Sequence, residues 1–187
     1  MLELDGPNPW RTEASRVVFE NSRMRLVEDA VIQPDGGQGT YVYVQIDKPV
    51  VAVVPVDAEG YVYLVRQWRY PWGRNSWEIP SGGGEIDEAP IDAARRELAE
   101  EVGLCASEWL PLAGGYPSAT MNSNWHLFLA RGLEVAPDGR HHRDPGEHDL
   151  ITRRLPLAEA VEAALDGRIA HGMSVVGLVR AARRLEA

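Results

Sequence analysis

Three features of the chain predict a layered α/β (α+β) fold. Short β-rich runs fill its first part, one helix with sharply marked ends follows, and strand-like and helix-like patterns mix in the last third. Elements of both kinds interleaved along one chain bury their apolar faces by packing helices against a sheet. A length of 187 residues suits one domain, with at most a small appendage, and a chain of this size buries about 70% of its unfolded surface.

The elements follow in order. Val17-Val18-Phe19, Met24 to Ile32 and Thr40 to Ile46 read as a meander of antiparallel strands, broken by Glu20-Asn21-Ser22 and by the turn-forming Pro34-Asp35-Gly36-Gly37. Val50 to Val56, the hairpin signal Asp57-Ala58-Glu59-Gly60, Tyr61 to Gln67 and Trp77 to Ile79 form a second set. Their continuous apolar runs suggest a strand buried on both faces. A helix is predicted from about Pro90 to Val102, with proline in the first turn, where a missing N–H costs nothing, and Gly103 just past the end. Trp109 to Ala113, Trp125 to Ala130 and Leu150 to Leu155 have strand character, whereas Leu157 to Leu165 and Ser174 to Leu185 have helical apolar spacing. The polar stretch Ala136 to Gly146 reads as a surface loop.

Composition narrows the function classes. Nineteen Lys and Arg against 28 Asp and Glu leave a formal net charge of −9, which argues against nonspecific binding to nucleic acid or anionic membrane, since phosphates are held by surplus cations. A polyanionic ligand would need metal ions to bridge it to such a chain. The single cysteine, Cys105, excludes an internal disulfide and a cysteine zinc cluster, and is expected to be a small core residue. No leader pattern opens the chain and no stretch reaches the ~20 apolar residues of a membrane span. A soluble, cytoplasmic protein is expected.

Within the predicted helix, Glu97 stands three residues from Glu100 and four from Glu101, so the three carboxylates share a face while Ile91, Ala94, Leu98 and Val102 line another. Like charges at these spacings destabilise a helix by a few tenths of a kcal/mol per pair. Either the face is simply solvated, or it binds a hard cation such as Mg²⁺, which takes a few carboxylates and keeps waters and substrate phosphates as its other ligands. The preceding Pro80-Ser81-Gly82-Gly83-Gly84-Glu85 is a glycine-rich loop after a strand, and glycine lets backbone approach a ligand closely.

Taken together, Gly82, five residues on Glu88, seven more on Arg96-Glu97-Leu98, then Glu100-Glu101, Val102 and Gly103-Leu104 fill every fixed position of the Nudix box. The chain resembles a Nudix hydrolase. The resemblance implies a mixed β-sheet sandwiched between helices over residues 49–187, with an N-terminal antiparallel β-rich extension at 1–48 that serves dimerisation. It implies cleavage of a nucleoside diphosphate linked to another group, with Mg²⁺ as cofactor and Mn²⁺ as a substitute. Carried over by position, Glu97 and Glu101 are the principal metal ligands, Glu100 a further one, and the backbone carbonyl of Ser81 an additional one. Arg96 and Glu88 pair to brace loop against helix. Bound metals would screen the polyanionic substrate from these carboxylates and lower the pKa of a bound water.

Val65-Arg66-Gln67-Trp68-Arg69 ahead of Trp77-Glu78-Ile79-Pro80 resembles the branch that hydrolyses ADP-ribose and nucleotide sugars. There Arg69 would touch the diphosphate, a task for a bidentate guanidinium fork; a surface ion pair is the bland alternative. Trp10, Tyr41 and Tyr43 are candidates to stack on the base, or simple packing residues. The segment Tyr116 to Asn124 begins like the branch's substrate loop but lacks the glycine and glutamate usual in ADP-ribose enzymes. Ser118, Thr120, Asn122, Ser123 and Asn124 are suited to hydrogen-bond the hydroxyls of another sugar, or to bond only within the loop.

A general base is expected beyond the box. Glu147, just before the strand from Leu150, is the leading candidate, with Asp149 or His148 as alternatives and a solvated turn as the plain reading. Such a base contributes about 10² to 10⁴ in rate. His141 and His142, adjacent in a polar loop, are expected to point in different directions and not to ligate metal. The substrate expected is therefore a small-molecule nucleotide, ADP-ribose or another nucleoside diphosphate sugar, handled by a homodimer. Oxidised nucleotides and dinucleoside polyphosphates are the same-class alternatives, and a noncatalytic sensor of ADP-ribose-like ligands the different-class one.

Overall fold

A computed structural model describes residues 6–137 and 149–186. His141, His142, Glu147, His148 and most of the expected 136–146 loop lie outside them. The chain divides into two compact units, Met1–Asp47 with Ser118–Ser123, and Lys48–Pro117 with Asn124–Ala187.

The first unit is a sheet of four strands in the order β1-β2-β3-β9, formed by β1 (Arg11–Glu20), β2 (Arg25–Ile32), β3 (Gln38–Gln45) and the short β9 (Met121–Asn122). The three N-terminal strands form the expected antiparallel meander. β1 is longer than its apolar run Val17-Val18-Phe19, because pairing with β2 carries it back through the polar Arg11 to Arg16. Arg16 pairs across the ladder with Glu28 at 2.6 Å. Val27 and Val31 are buried in β2, yet every residue of β1 is exposed.

The second unit carries the helices. One sheet has the order β7-β4-β10-β8, from β4 (Val50–Pro55), β7 (Ser81–Gly83), β8 (Leu104–Gly115) and β10 (Trp125–Val135). β4 and β10 are parallel, and the other pairs antiparallel. A second sheet, β11-β5-β6, is formed by β5 (Tyr61–Arg69), β6 (Arg74–Glu78) and β11 (Ile151–Pro156).

Alternation along β4 shows how the layers are built. Ala52 and Val54 join a core with Leu127, Leu129, Ile79 and residues of helices α2 (Leu157–Leu165) and α3 (Gly172–Leu185). Val51 and Val53 join another with Ala93, Ala94 and Leu98 of the predicted box helix. Side chains of a strand point alternately to its two faces, so this strand is buried on both, as its apolar run implied. Fully burying each such valine contributes roughly 1.5–3 kcal/mol. Gly177 of α3 makes the second layer close: a Cβ there would come 2.9 Å from Ile79 Cδ1 and 3.1 Å from Val54 Cγ2.

Three local expectations are corrected. The glycine-rich loop begins as a strand, since Ser81 and Gly82 pair with Ala52 and Val51 at the edge of the β4 sheet. Helix α1 is α-helical only from Pro90 to Glu97 and continues as a π-helical turn over Leu98–Val102, closed by Gly103 at φ +80°. Cys105 is half-buried at the start of β8 and not a core residue, with Sγ 3.7 Å from the Glu134 carbonyl of the neighbouring strand.

Candidate active site

Helix α1 presents its carboxylates inward. Glu97 keeps 6% of its surface exposed and Glu101 none, whereas Glu100 is half-buried. The solvated acidic face is therefore overturned. The burial arises because β7 lies along the helix: the Ser81 N–H donates to Glu101 Oε2 at 2.8 Å. At Gly82 the approach is closer still, for a Cβ there would sit 2.3 Å from the carboxyl carbon of Glu97. Only glycine leaves that carboxylate its place. The π turn adds to this, because an i→i+5 turn holds more residues than an α turn and brings positions four apart, such as Glu97 and Glu101, nearer to one line.

Arg96 ties the cluster together. Its Nη1 donates to Glu97 at 2.9 Å and to Glu100 at 3.0 Å, and its Nη2 donates to the Gly83 carbonyl at 3.0 Å and to Glu88 at 3.2 Å. Glu88 in turn accepts from the Glu85 N–H at 2.8 Å, so the loop after β7 is fastened to the helix through one guanidinium. The Arg96 hydrogen bond holds the Glu88 carboxyl below its ordinary value against a smaller opposing effect of burial. Burial disfavours the Arg96 charge, but Glu88 and Glu97 outweigh it and raise its pKa further. Gly84 is needed at the same place, where a Cβ would stand 2.6 Å from Pro49 Cγ.

These groups suit a hard divalent cation by their chemistry: carboxylate oxygens, two of them buried, beside a backbone that only glycine allows so close. Among the described residues no three His, Cys, Asp or Glu side chains already converge tightly enough to hold an ion unaided.

A second charged group lies nearby in sequence. Arg69, at the end of β5, donates through Nε and Nη2 to Glu78 of β6 at 2.8 and 2.6 Å. The ion pair is real but is no surface pair, because Glu78 is completely buried while 30% of the Arg69 side chain stays exposed. Burial raises the Glu78 pKa, yet Arg69, His171 and Ser76 together bring it below the ordinary value. His171 and Ser174, from the start of α3, belong to this cluster and had no signal in the sequence. Glu78 did have one: a carboxylate flanked by Trp77 and Ile79 calls for a cation.

The sugar-binding candidates are not gathered in one unit. Ser118 and Asn122 fall in the first and Asn124 in the second. Ser118 Oγ and Thr120 Oγ1 bond each other at 2.9 Å, and the carbonyls of Asn122 and Asn124 accept from Ile46 and Val50 N–H groups at 3.1 and 3.3 Å. Trp10 and Tyr41 pack edge to face at 5.6 Å. Asp149 Oδ2 accepts from the Trp68 N–H at 3.4 Å.

Comparison with known proteins agrees with this geometry. A family model described as NUDIX domain matches residues 47–174. An ADP-ribose pyrophosphatase of Mycobacterium tuberculosis (strain ATCC 25618 / H37Rv) is 33% identical over 177 residues, covering 91% of this chain and 82% of that protein. Another from Bacillus subtilis (strain 168) is 33% identical over 131 residues, covering 70% of each. A solved structure described as an ADP compounds hydrolase superposes with a TM-score of 0.82 at 18% identity, covering 97% of both chains, which is a likeness of fold.

Proposed function

This chain belongs to the NUDIX domain family, and we propose that it is a divalent-metal-dependent pyrophosphohydrolase that cleaves ADP-ribose, or a closely related nucleoside diphosphate sugar, to a nucleoside monophosphate and a sugar phosphate. The observation that carries this reading is the inward-facing acidic helix, with Glu97 and Glu101 buried against Gly82 and Ser81. Burying carboxylates costs several kcal/mol; Arg96 and the Ser81 N–H offset part of that cost, and a divalent cation would neutralise the charge the two carboxylates share. The names of the two bacterial relatives favour ADP-ribose as substrate.

Glu97 and Glu101, with Glu100 and the Ser81 carbonyl, would hold Mg²⁺ or Mn²⁺. When bound, the metal supplies charge neutralisation at the diphosphate and acidifies a coordinated water. Arg96 and Glu88 keep the loop and helix in register, so the carboxylates need not reorganise during the reaction. Arg69 offers a fixed guanidinium to the diphosphate, its orientation set by the bidentate grip on Glu78. Overall, a water oxygen joins one phosphorus, the bridging P–O bond breaks, and the water's proton passes to a base. Glu147 is assigned that role on sequence grounds, with Asp149 or His148 as substitutes. Ser118, Asn122 and Asn124 are assigned to the sugar on the same grounds.

The first unit supplies the dimer contact in this reading. β1 is an outer strand of its sheet, and Val17, Val18 and Phe19 are each about half exposed. An edge strand with exposed apolar side chains invites pairing with another chain, and a second copy is the occupant we assign. Among the described residues no helix is long and apolar enough to cross a membrane.

A substrate panel tests the proposal: ADP-ribose, ADP-glucose, GDP-mannose, UDP-glucose, diadenosine polyphosphates and oxidised dGTP, each with Mg²⁺ or with EDTA. AMP and ribose 5-phosphate released from ADP-ribose only with Mg²⁺ is the expected result. Binding of these compounds without turnover of any would overturn it in favour of a sensor.

A further inference from the structure

Apart from the acidic helix, Glu78 is the one charged side chain described here with no exposed surface. Its two oxygens are treated differently. Oε1 accepts from Arg69 Nε at 2.8 Å. Oε2 accepts from Arg69 Nη2 at 2.6 Å and also has His171 Nδ1 at 3.1 Å. That nitrogen lies 2.8 Å from Ser174 Oγ, which accepts from the Ile79 N–H at 3.0 Å. His171 is the residue before α3 and Ser174 lies in its first turn, where a helix favours a nearby carboxylate. The Trp72 ring stands 6.1 Å from the imidazole.

Each part of this arrangement limits the next. Ser174 is completely buried, so its hydroxyl is a fixed post between the backbone of Ile79 and the imidazole. A lone pair on Nδ1 facing the carboxylate would be repelled, so the proton of a neutral ring belongs on Nδ1. Burial disfavours the charged ring and Arg69 opposes it too, and these outweigh the pull of Glu78, so His171 is held below its ordinary value. At neutral pH the cluster is thus one cation, one anion and a neutral donor. The imidazole edge, held by Ser174, stands 3.1 Å from Oε2 and limits where that oxygen can sit, and Oε2 in turn receives the Nη2 edge of the Arg69 fork.

We propose that His171, anchored by Ser174, is a positioning residue for substrate binding: it aims the Arg69 guanidinium at the diphosphate by holding the Glu78 carboxylate to which that guanidinium is clamped. This inference rests on the assignment of Arg69 to the diphosphate. It assigns a role in substrate recognition to the start of the C-terminal helix, far in sequence from the box. The effect belongs to binding and not to the bond-breaking step, since His171 acts only through Arg69.

Steady-state kinetics on ADP-ribose with saturating Mg²⁺ tests it, using a double-mutant cycle. Arg69→Gln, which keeps amide donors for Glu78 while removing the charge, should raise KM at least tenfold. His171→Ala should raise KM about fivefold with kcat within twofold of wild type. The double variant should match Arg69→Gln alone, because an imidazole that acts through the guanidinium has nothing left to aim. His171→Asn places an amide near the position of Nδ1 and should recover KM to within about twofold of wild type, and Ser174→Ala should raise KM about threefold. Thermal melts confirm that each variant is folded; if His171→Ala is not, the cycle is run with Ser174→Ala. An unchanged KM in Arg69→Gln would remove the diphosphate assignment itself. An effect of Arg69→Gln, with His171→Ala silent or additive to it, would overturn the role of His171 and leave that assignment standing.

Discussion

The two units of this protein invert the usual rule of what goes inside. In the second, acidic side chains are interior: Glu78 and Glu101 have no exposed surface and Glu97 almost none. In the first, apolar side chains are exterior, with Val17 at 49% and Val18 and Phe19 at 51% exposure along a strand that has no buried residue. Each departure has its own cost. Burying a carboxylate loses hydration and must be offset by Ser81 N–H, Arg96 or Arg69. Exposing valine and phenylalanine forgoes roughly 1.5–3 kcal/mol apiece.

The comparison is broken most severely at Glu101. Glu101→Gln keeps an acceptor for the Ser81 N–H but removes the charge, and should lower kcat by about a thousandfold, the several kcal/mol that metal stabilisation of the transition state supplies; chromatographic assay of AMP release measures it. Gly82→Ala should cost about a hundredfold in kcat with the fold intact, because its methyl displaces the Glu97 carboxylate and a shift of about 1 Å is enough for such a loss.

Arg96→Met tests stability more than chemistry. Losing charge-assisted bonds to Glu88, Glu97 and Glu100 on a side chain one-third exposed should cost about 2 kcal/mol in urea unfolding. Acid sharpens the view of the buried charges. His171 titrates below its ordinary value of 6.5 in the fold, so the folded state binds fewer protons than the unfolded chain. Its contribution to stability is complete above that pH and falls as pH drops through the folded value. Glu78, held below its ordinary 4.5, contributes fully above that value and loses its contribution further down. The melting temperature should therefore fall in two stages on acidification, and His171→Asn should flatten the first. The smallest effect on turnover is expected in the first unit. Val18→Asp should shift the sedimentation mass from dimer to monomer while kcat stays within severalfold of wild type.

Much of this was legible because the physics was local. Apolar continuity from Val50 to Val56 disclosed a strand buried on both faces, and proline at position 90 with glycine at 103 bounded the box helix. Arg96 with Glu88 followed from the resemblance, and the structure pairs them. What the sequence hid depended on tertiary contact. Three carboxylates on one helix look solvated until a glycine-rich strand lies on them, and the π turn changes no residue type. His171 and Ser174 meet Glu78 across more than ninety positions, as the Ile79 to Ser174 hydrogen bond does, and no periodicity records such a meeting. β1 extended past its apolar run because its pairing with β2 needs only backbone.

The most direct test of the acidic helix as a metal centre is the Mn²⁺ affinity of the protein, followed by the electron paramagnetic resonance signal of free Mn²⁺ during titration with and without AMP. Wild type should remove Mn²⁺ from solution more strongly when AMP is present, and Glu101→Gln and Gly82→Ala should each weaken that binding at least tenfold while remaining folded. Equal Mn²⁺ binding by wild type and both variants would contradict the assignment of Glu97 and Glu101 as its ligands.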